Sequence, residues 1–183
     1  MSISNAEILS TIASNPELGF RMLMQQYGEP IYHHIRRLVV SHDDTQDIMQ
    51  ETFLKVFRSI DSLKDQNALT PWIYRIATRE ALTALRQRKH PTEILDIAAD
   101  GTNSIKSDTY VDYSDIEAVH LQKAILSLPE KQRLTFNLRY YDEMEYTQIA
   151  ETLGITVSTA KVNYHLAKEK IIKYMNSINL SKT

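Results

Sequence analysis

Apolar residues recur at helical spacing in two blocks of this chain, and the periodicity is lost between them. In the first block, residues 4–13 predict a short helix. Residues 17–40 predict a longer one, carrying Leu18, Met22 and the run from Tyr27 to Leu38, with a bend expected at Pro30. Asp43 to Ile60 is strongly periodic: Ile48, Phe53, Val56, Phe57 and Ile60 make a wide apolar face. Asp43 followed by Gln46 has the form of a capping box. Residues 62–70 read as a loop, after which Pro71 opens a helix through about Arg88 with Ile73, Ile76, Ala77, Ala81 and Leu85 on its core side. Residues 91–113 exchange apolar residues for Asp, Thr, Ser, Asn and Gly, a linker composition. Helices resume from Asp115 to Ser127 and from Pro129 to Tyr141, with Leu121, Ile125, Leu134, Leu138 and Tyr141 as core candidates.

The sharpest pattern follows. Residues 146–171, YTQIAETLGITVSTAKVNYHLAKEKI, read as helix, tight turn, helix. Thr147 can cap the first helix, whose apolar side is Ile149, Ala150 and Leu153. Gly154 tolerates the positive φ of the turn, Ile155 plugs the corner, and Thr156 occupies an N-cap position. Val157, Ala160, Tyr164, Ala167 and Ile171 form one stripe of the second helix. The opposite face carries Ser158, Lys161, Val162 and His165, with Thr159 and Asn163 at its edge. Short side chains at the leading end let a helix backbone approach base edges in a DNA major groove. An ordinary surface hairpin shares the periodicity but does not need those slim residues or the single glycine.

Composition narrows the class. The chain has 183 residues, only 4 glycines and 5 prolines, and no cysteine. An all-α protein of two small domains fits, and disulfides, thiolate metal sites and cysteine nucleophiles are excluded. No basic residue precedes Arg21, so no signal peptide is expected, and no apolar run approaches a membrane span. A cytoplasmic protein without membrane insertion is the expectation. The histidines (33, 34, 42, 90, 120 and 165) lack ligand spacing, so neither a metal nor another cofactor is expected. No phosphate loop or nucleophile elbow suggests an enzyme. The formal net charge of −2 conceals a division. Arg75, Arg79, Arg86, Arg88 and Lys89 face only Glu80 in residues 72–90, and Lys161, Lys168, Lys170 and Lys173 face only Glu169 in residues 154–173. Between the two lies an acidic connector with Glu93, Asp96, Asp100, Asp108, Asp112 and Asp115 against Lys106.

Three separated motifs carry a resemblance across nearly the whole chain: DDTQDIMQETFLKVFRSID (43–61), PWIYRIATREALTALRQRK (71–89) and LPEKQRLTFNLRYYDEMEYTQIAETLGITVSTAKVNYHLAKEKI (128–171). In order and spacing they resemble the extracytoplasmic-function (ECF) sigma factors, the smallest class of the bacterial sigma-70 family. That resemblance implies an all-α chain of two helical domains: region two at 1–90, an acidic flexible linker at 91–113, and region four, with its helix-turn-helix, at 114–178. It implies promoter-specific transcription initiation with core RNA polymerase, bound through its β′ clamp and β flap, no catalysis by the chain itself, and an anti-sigma factor as partner.

The resemblance also distributes roles. Asp44, Asp47, Gln50 and Glu51 would dock the clamp; a row of carboxylates suits a basic partner surface, although acids at a helix start also complement its dipole. Trp72, Tyr74, Arg75, Arg79 and Arg86 would meet the minus-ten strand, aromatic faces stacking on bases and arginines holding phosphates. For Trp72 and Tyr74 a core position stays open beside stacking. Thr156, Ser158, Thr159, Lys161, Val162, Asn163 and His165 would read the minus-thirty-five duplex, with a thymine-methyl contact from Val162. The chain departs from common family forms at Arg79 and Thr83, where Asn and Asp are usual, and at Asn163, Leu166 and Lys168, where arginines are frequent. A stand-alone helix-turn-helix regulator is the alternative, but it needs neither the acidic helix at 43–61 nor the basic aromatic one at 71–89. A 23-residue linker averages about 25–30 Å and reaches about 75–80 Å when stretched. Two turns of DNA span about 70 Å, so polymerase would have to hold the domains apart.

Overall fold

The computed structural model describes residues 3–63, 65–87 and 116–180. The predicted linker, with its acidic residues, and Arg88, Lys89 and His90 lie outside the described residues. Helices and short 3-10 turns make up the folded part, with no strand among the described residues. The all-α, two-unit expectation is met.

The first unit contains α1 (Asn5–Ser14), α2 (Pro16–Val39), α3 (His42–Ser59) and α4 (Leu69–Gln87), with 3-10 turns at Ile60–Ser62 and Gln66–Ala68. Its helix boundaries are set by side-chain caps. Ser4 accepts from the Glu7 N–H at 3.2 Å, and Asn15 accepts from Leu18 at 3.2 Å with Pro16 beside it at the first helical position. Ser41, not the predicted Asp43, starts α3: its Oγ accepts from the Asp44 N–H at 3.4 Å. The helix begins two residues earlier than the capping-box reading required, and Gln46 instead reaches the His42 ring at 3.0 Å. Helix α2 runs unbroken through Pro30. Helix α4 begins at Leu69, placing Pro71 in a first turn whose N–H groups have no intrahelical partner.

Four stripes meet in the core. Ile8 and Ile12 come from α1; Leu23, Ile31, Ile35 and Leu38 from α2; Ile48, Phe53 and Val56 from α3; Leu69, Ile73, Ala77 and Ala81 from α4. Two polar ties cross it. Tyr27 donates to Asn5 Oδ1 at 2.7 Å and lies 2.7 Å from Thr70 Oγ1, joining α1, α2 and α4. His34 Nε2 lies 2.9 Å from Thr78 Oγ1. Phe57, expected on the apolar face of its helix, is instead 51% exposed, and Leu18 is 44% exposed.

The second unit contains α5 (Ile116–Leu126), α6 (Glu130–Tyr140), α7 (Tyr146–Leu153) and α8 (Val157–Leu180). Ala124, Ile125, Leu128, Phe136, Ala167 and Ile171 form a core cluster with Leu121, Tyr164, Tyr174 and Met175 around it. Tyr141 lies at the surface, in edge contact with Phe136, rather than inside. Glu145, not Thr147, precedes α7, and its N–H donates to Gln148 Oε1 at 3.1 Å.

Three tests of this packing follow. A methyl on Gly19 would fall on the Ile12 backbone, closer than 3.0 Å, whereas Gly154 has φ of 64° and nothing within 4 Å of an added Cβ. In urea denaturation followed by circular dichroism, Gly154→Ala should cost about 1–2 kcal/mol from backbone strain alone. Gly19→Ala should cost more, about 3 kcal/mol, because α1 must move off α2. Burial raises the Tyr27 pKa above 10.0, opposed by its bonds to Thr70 and Asn5. The fold thus favours the neutral phenol, and this stability is present below pH 10 and lost as pH rises through the folded value. Tyr27→Phe should cost about 1–2 kcal/mol at neutral pH, and the gap to the parent should narrow above pH 10.

Candidate nucleic-acid interface

The turn between α7 and α8 determines how the second helix is presented. Gly154 adopts φ 64° and ψ 39°, and the Ile155 N–H donates back to Ala150 O at 3.0 Å. Thr156 then caps α8, accepting from the Thr159 N–H at 3.0 Å. Ala160, Ala167 and Ile171 turn inward, and the half-buried Tyr164 stacks on Phe136 with centroids 5.8 Å apart. Inward anchoring forces Ser158, Thr159, Lys161, Val162 and His165 outward, and all five are exposed, as is Thr156. Asn163, expected at the edge of this face, is half-buried with its Nδ2 enclosed. One expectation is corrected: Val157, at the end of the inward stripe, is 37% exposed. Positive charge gathers at the leading end: the Arg139 guanidinium lies 5.2 Å and the Lys161 ammonium 5.9 Å from the centroid of Tyr146.

In the first unit, α4 presents a second basic face. Arg75, Arg79 and Arg86 are four and seven residues apart, fall on one stripe, and are exposed. Trp72 is half-buried on the same side. Tyr74 is corrected: it is 5% exposed, with its ring in edge contact with His34 at 5.0 Å. It lies in line with Thr78 and Ala81, which are also buried. Those i+4 and i+7 partners were the available signal: Ala81 already stood on the expected core side, and only Thr78 does not read as core. Glu80, the one acid of this stretch, is held 2.5 Å from Lys55 of α3, which offsets its charge beside the arginines.

Helix α3 carries the acidic row. Asp47, Gln50 and Glu51 are exposed and Asp44 is half-buried. The row continues into an uncovered apolar groove between α2 and α3. This groove of about 780 Å³ is lined by Phe20, Met24, Gln46, Met49, Gln50, Phe53, Leu54 and Phe57. Asp47, Gln50, Leu54 and Phe57 share one stripe at helical spacing, and Phe20 meets Phe57 edge-on at 5.3 Å. Leu54 (46% exposed) and Phe57 were not expected here, although Leu54 falls on the acidic side of the sequence pattern. Exposed apolar grooves of this kind are commonly interaction sites. Among the described residues no His, Asp and Glu cluster is arranged for a metal, and no helix is long and apolar enough to cross a membrane.

Comparison with known proteins converges on one family. Residues 23–90 match the family model for sigma-70 region 2, and residues 119–171 match that for sigma-70 region 4. The chain is 30% identical over 169 residues to the ECF RNA polymerase sigma factor SigW of Bacillus subtilis, covering 87% of this chain and 90% of that one. It is 27% identical over 179 residues to the ECF RNA polymerase sigma-E factor of Escherichia coli K12, covering 92% and 93%. The fold is similar to CnrH, solved in complex with the cytosolic domain of CnrY (TM-score 0.70, 18% identity, 93% of this chain and 96% of that one). It is also similar to the sigma factor RpoE, solved in complex with the anti-sigma factor NepR from Bartonella quintana (TM-score 0.66, 21% identity, 86% and 96%). With both signature regions matched in order and its relatives aligned over most of their length, the chain belongs to the ECF class of the sigma-70 family of RNA polymerase sigma factors.

Proposed function

We propose that three surfaces divide the work of an ECF sigma factor in this chain. Residues 1–90 act as region two, 91–113 as the linker and 114–178 as region four. The acidic row of Asp44, Asp47, Gln50 and Glu51, extended by the groove at Leu54 and Phe57, seats the β′ clamp of core RNA polymerase. Carboxylates fix orientation through charged hydrogen bonds, and apolar burial beside them supplies affinity. The α4 stripe of Arg75, Arg79 and Arg86, with Trp72 at its edge, holds the opened minus-ten strand, and α8 reads the minus-thirty-five duplex while its unit meets the β flap. The observation that carries this reading is the continuity of the acidic row with the uncovered groove, whose lining apart from Phe20 falls in the segment that matches region 2.

The chain supplies promoter choice and performs no bond chemistry; it works in the bacterial cytoplasm. An anti-sigma factor is its inhibitory partner, a reading supported by the solved complex of the similarly folded RpoE with NepR. In run-off transcription with purified core polymerase, Asp47→Arg and Phe57→Asp should each lower core affinity at least about tenfold, with the helical circular dichroism signal unchanged. Arg75→Ala with Arg79→Ala should assemble normally yet open promoters poorly, and Tyr74→Phe should impair neither step. Full assembly and transcription by the Asp47→Arg, Phe57→Asp double variant would refute the docking assignment.

A further inference from the structure

The outward face of α8 carries an apolar ridge. Val162 is 53% exposed and Leu166, one turn on, is 36% exposed. Val162 lies almost opposite the buried Ala160, Ala167 and Ile171, at the middle of the presented face. Four residues separate the pair, so their side chains adjoin. Isolated exposed aliphatic residues are common, but here two branched ones adjoin where a groove-reading helix normally offers hydrogen-bonding groups. Ser158 stands one turn before Val162, and Lys161 beside it brings positive charge. His165, beside the ridge, lies 3.3 Å from Oε1 of Glu169, the one acid in residues 154–173.

Aliphatic branches can neither donate to guanine N7 and O6 nor accept from cytosine N4. The major groove offers them one matching group, the C5-methyl of thymine. We infer that Val162 and Leu166 read thymine methyl groups in the upstream promoter element, so that this sigma factor selects the element by apolar contact as well as by Lys161. The inference rests on α8 being the minus-thirty-five reader. The basic side chains beside the ridge argue for DNA, rather than a helix from an inhibitor or a second copy, as its occupant.

The test uses holoenzyme reconstituted from the full chain and core polymerase. Promoters are first selected by run-off transcription from templates randomised across the upstream element. The best template is then rebuilt with deoxyuridine replacing each thymidine in turn, which removes only the methyl group. Selected elements should retain thymines, and losing a contacted methyl should lower open-complex formation about three- to tenfold. Val162→Ser and Leu166→Ser holoenzymes should transcribe the thymidine and deoxyuridine templates alike. Equal use of both templates by the parent holoenzyme, while it still depends on the upstream sequence, overturns the methyl reading alone. That result combined with loss of inhibitor or self-association in the serine variants would assign the ridge to a protein. Indifference of the parent to the whole upstream element overturns the assignment of α8 as well.

Discussion

The 3.6-residue period of the α-helix is the constraint on which everything else here depends. Each amphipathic helix must give one face to its own unit's core, and only the remainder is free for partners. In α4 the inward face takes Ile73, Tyr74, Ala77 and Ala81, which leaves Arg75, Arg79 and Arg86 together outside. In α8 the buried Ala160, Ala167 and Ile171 leave Ser158, Lys161, Val162 and His165 outside. Small inward residues add a second effect: alanines let α8 sit close, and Gly19 lets α1 rest against α2. The functional faces are thus aimed by the core, not by contacts of their own.

Much of this was legible in sequence because long helices repeat their pattern several times. The helix-turn-helix was read nearly residue by residue, since Gly154 and Thr156 have narrow physical roles at φ 64° and at an N-cap. Misreadings cluster where type and position disagree. Tyr74 looked like an interface residue because aromatic and basic residues alternate around it, yet its register places it inside. Phe57 and Tyr141 looked like core from their spacing, yet each is only partly covered, Phe57 by Phe20 of α2 and Tyr141 by Phe136. The groove between α2 and α3 was illegible because it pairs Phe20 and Met24 with Leu54 and Phe57 across a tertiary contact that no local spacing encodes. Both caps moved by two residues, from Asp43 to Ser41 and from Thr147 to Glu145, because neighbouring polar residues offer equivalent acceptors.

Charge explains why such a chain works through a partner. With a formal net charge of −2 and only short basic faces, it can neutralise few phosphates. Nonspecific affinity grows with phosphate contacts and falls steeply with salt. On the proposed assignment the α4 and α8 faces would each bind weakly alone; fixing both on one scaffold would convert the second contact into an intramolecular event and multiply the affinities. On the proposed assignment the acidic row and groove on α3 serve that end, since attachment to polymerase would precede any useful reading of DNA.

The most direct measurement compares promoter binding by the free chain and by the chain assembled with core polymerase, on the same fluorescent promoter duplex at physiological salt. Weak, sequence-indifferent binding by the free chain and tight, promoter-specific binding by the assembly are predicted. Nanomolar, promoter-specific binding by the free chain, unchanged when core polymerase is added, would contradict the dependence of selectivity on polymerase.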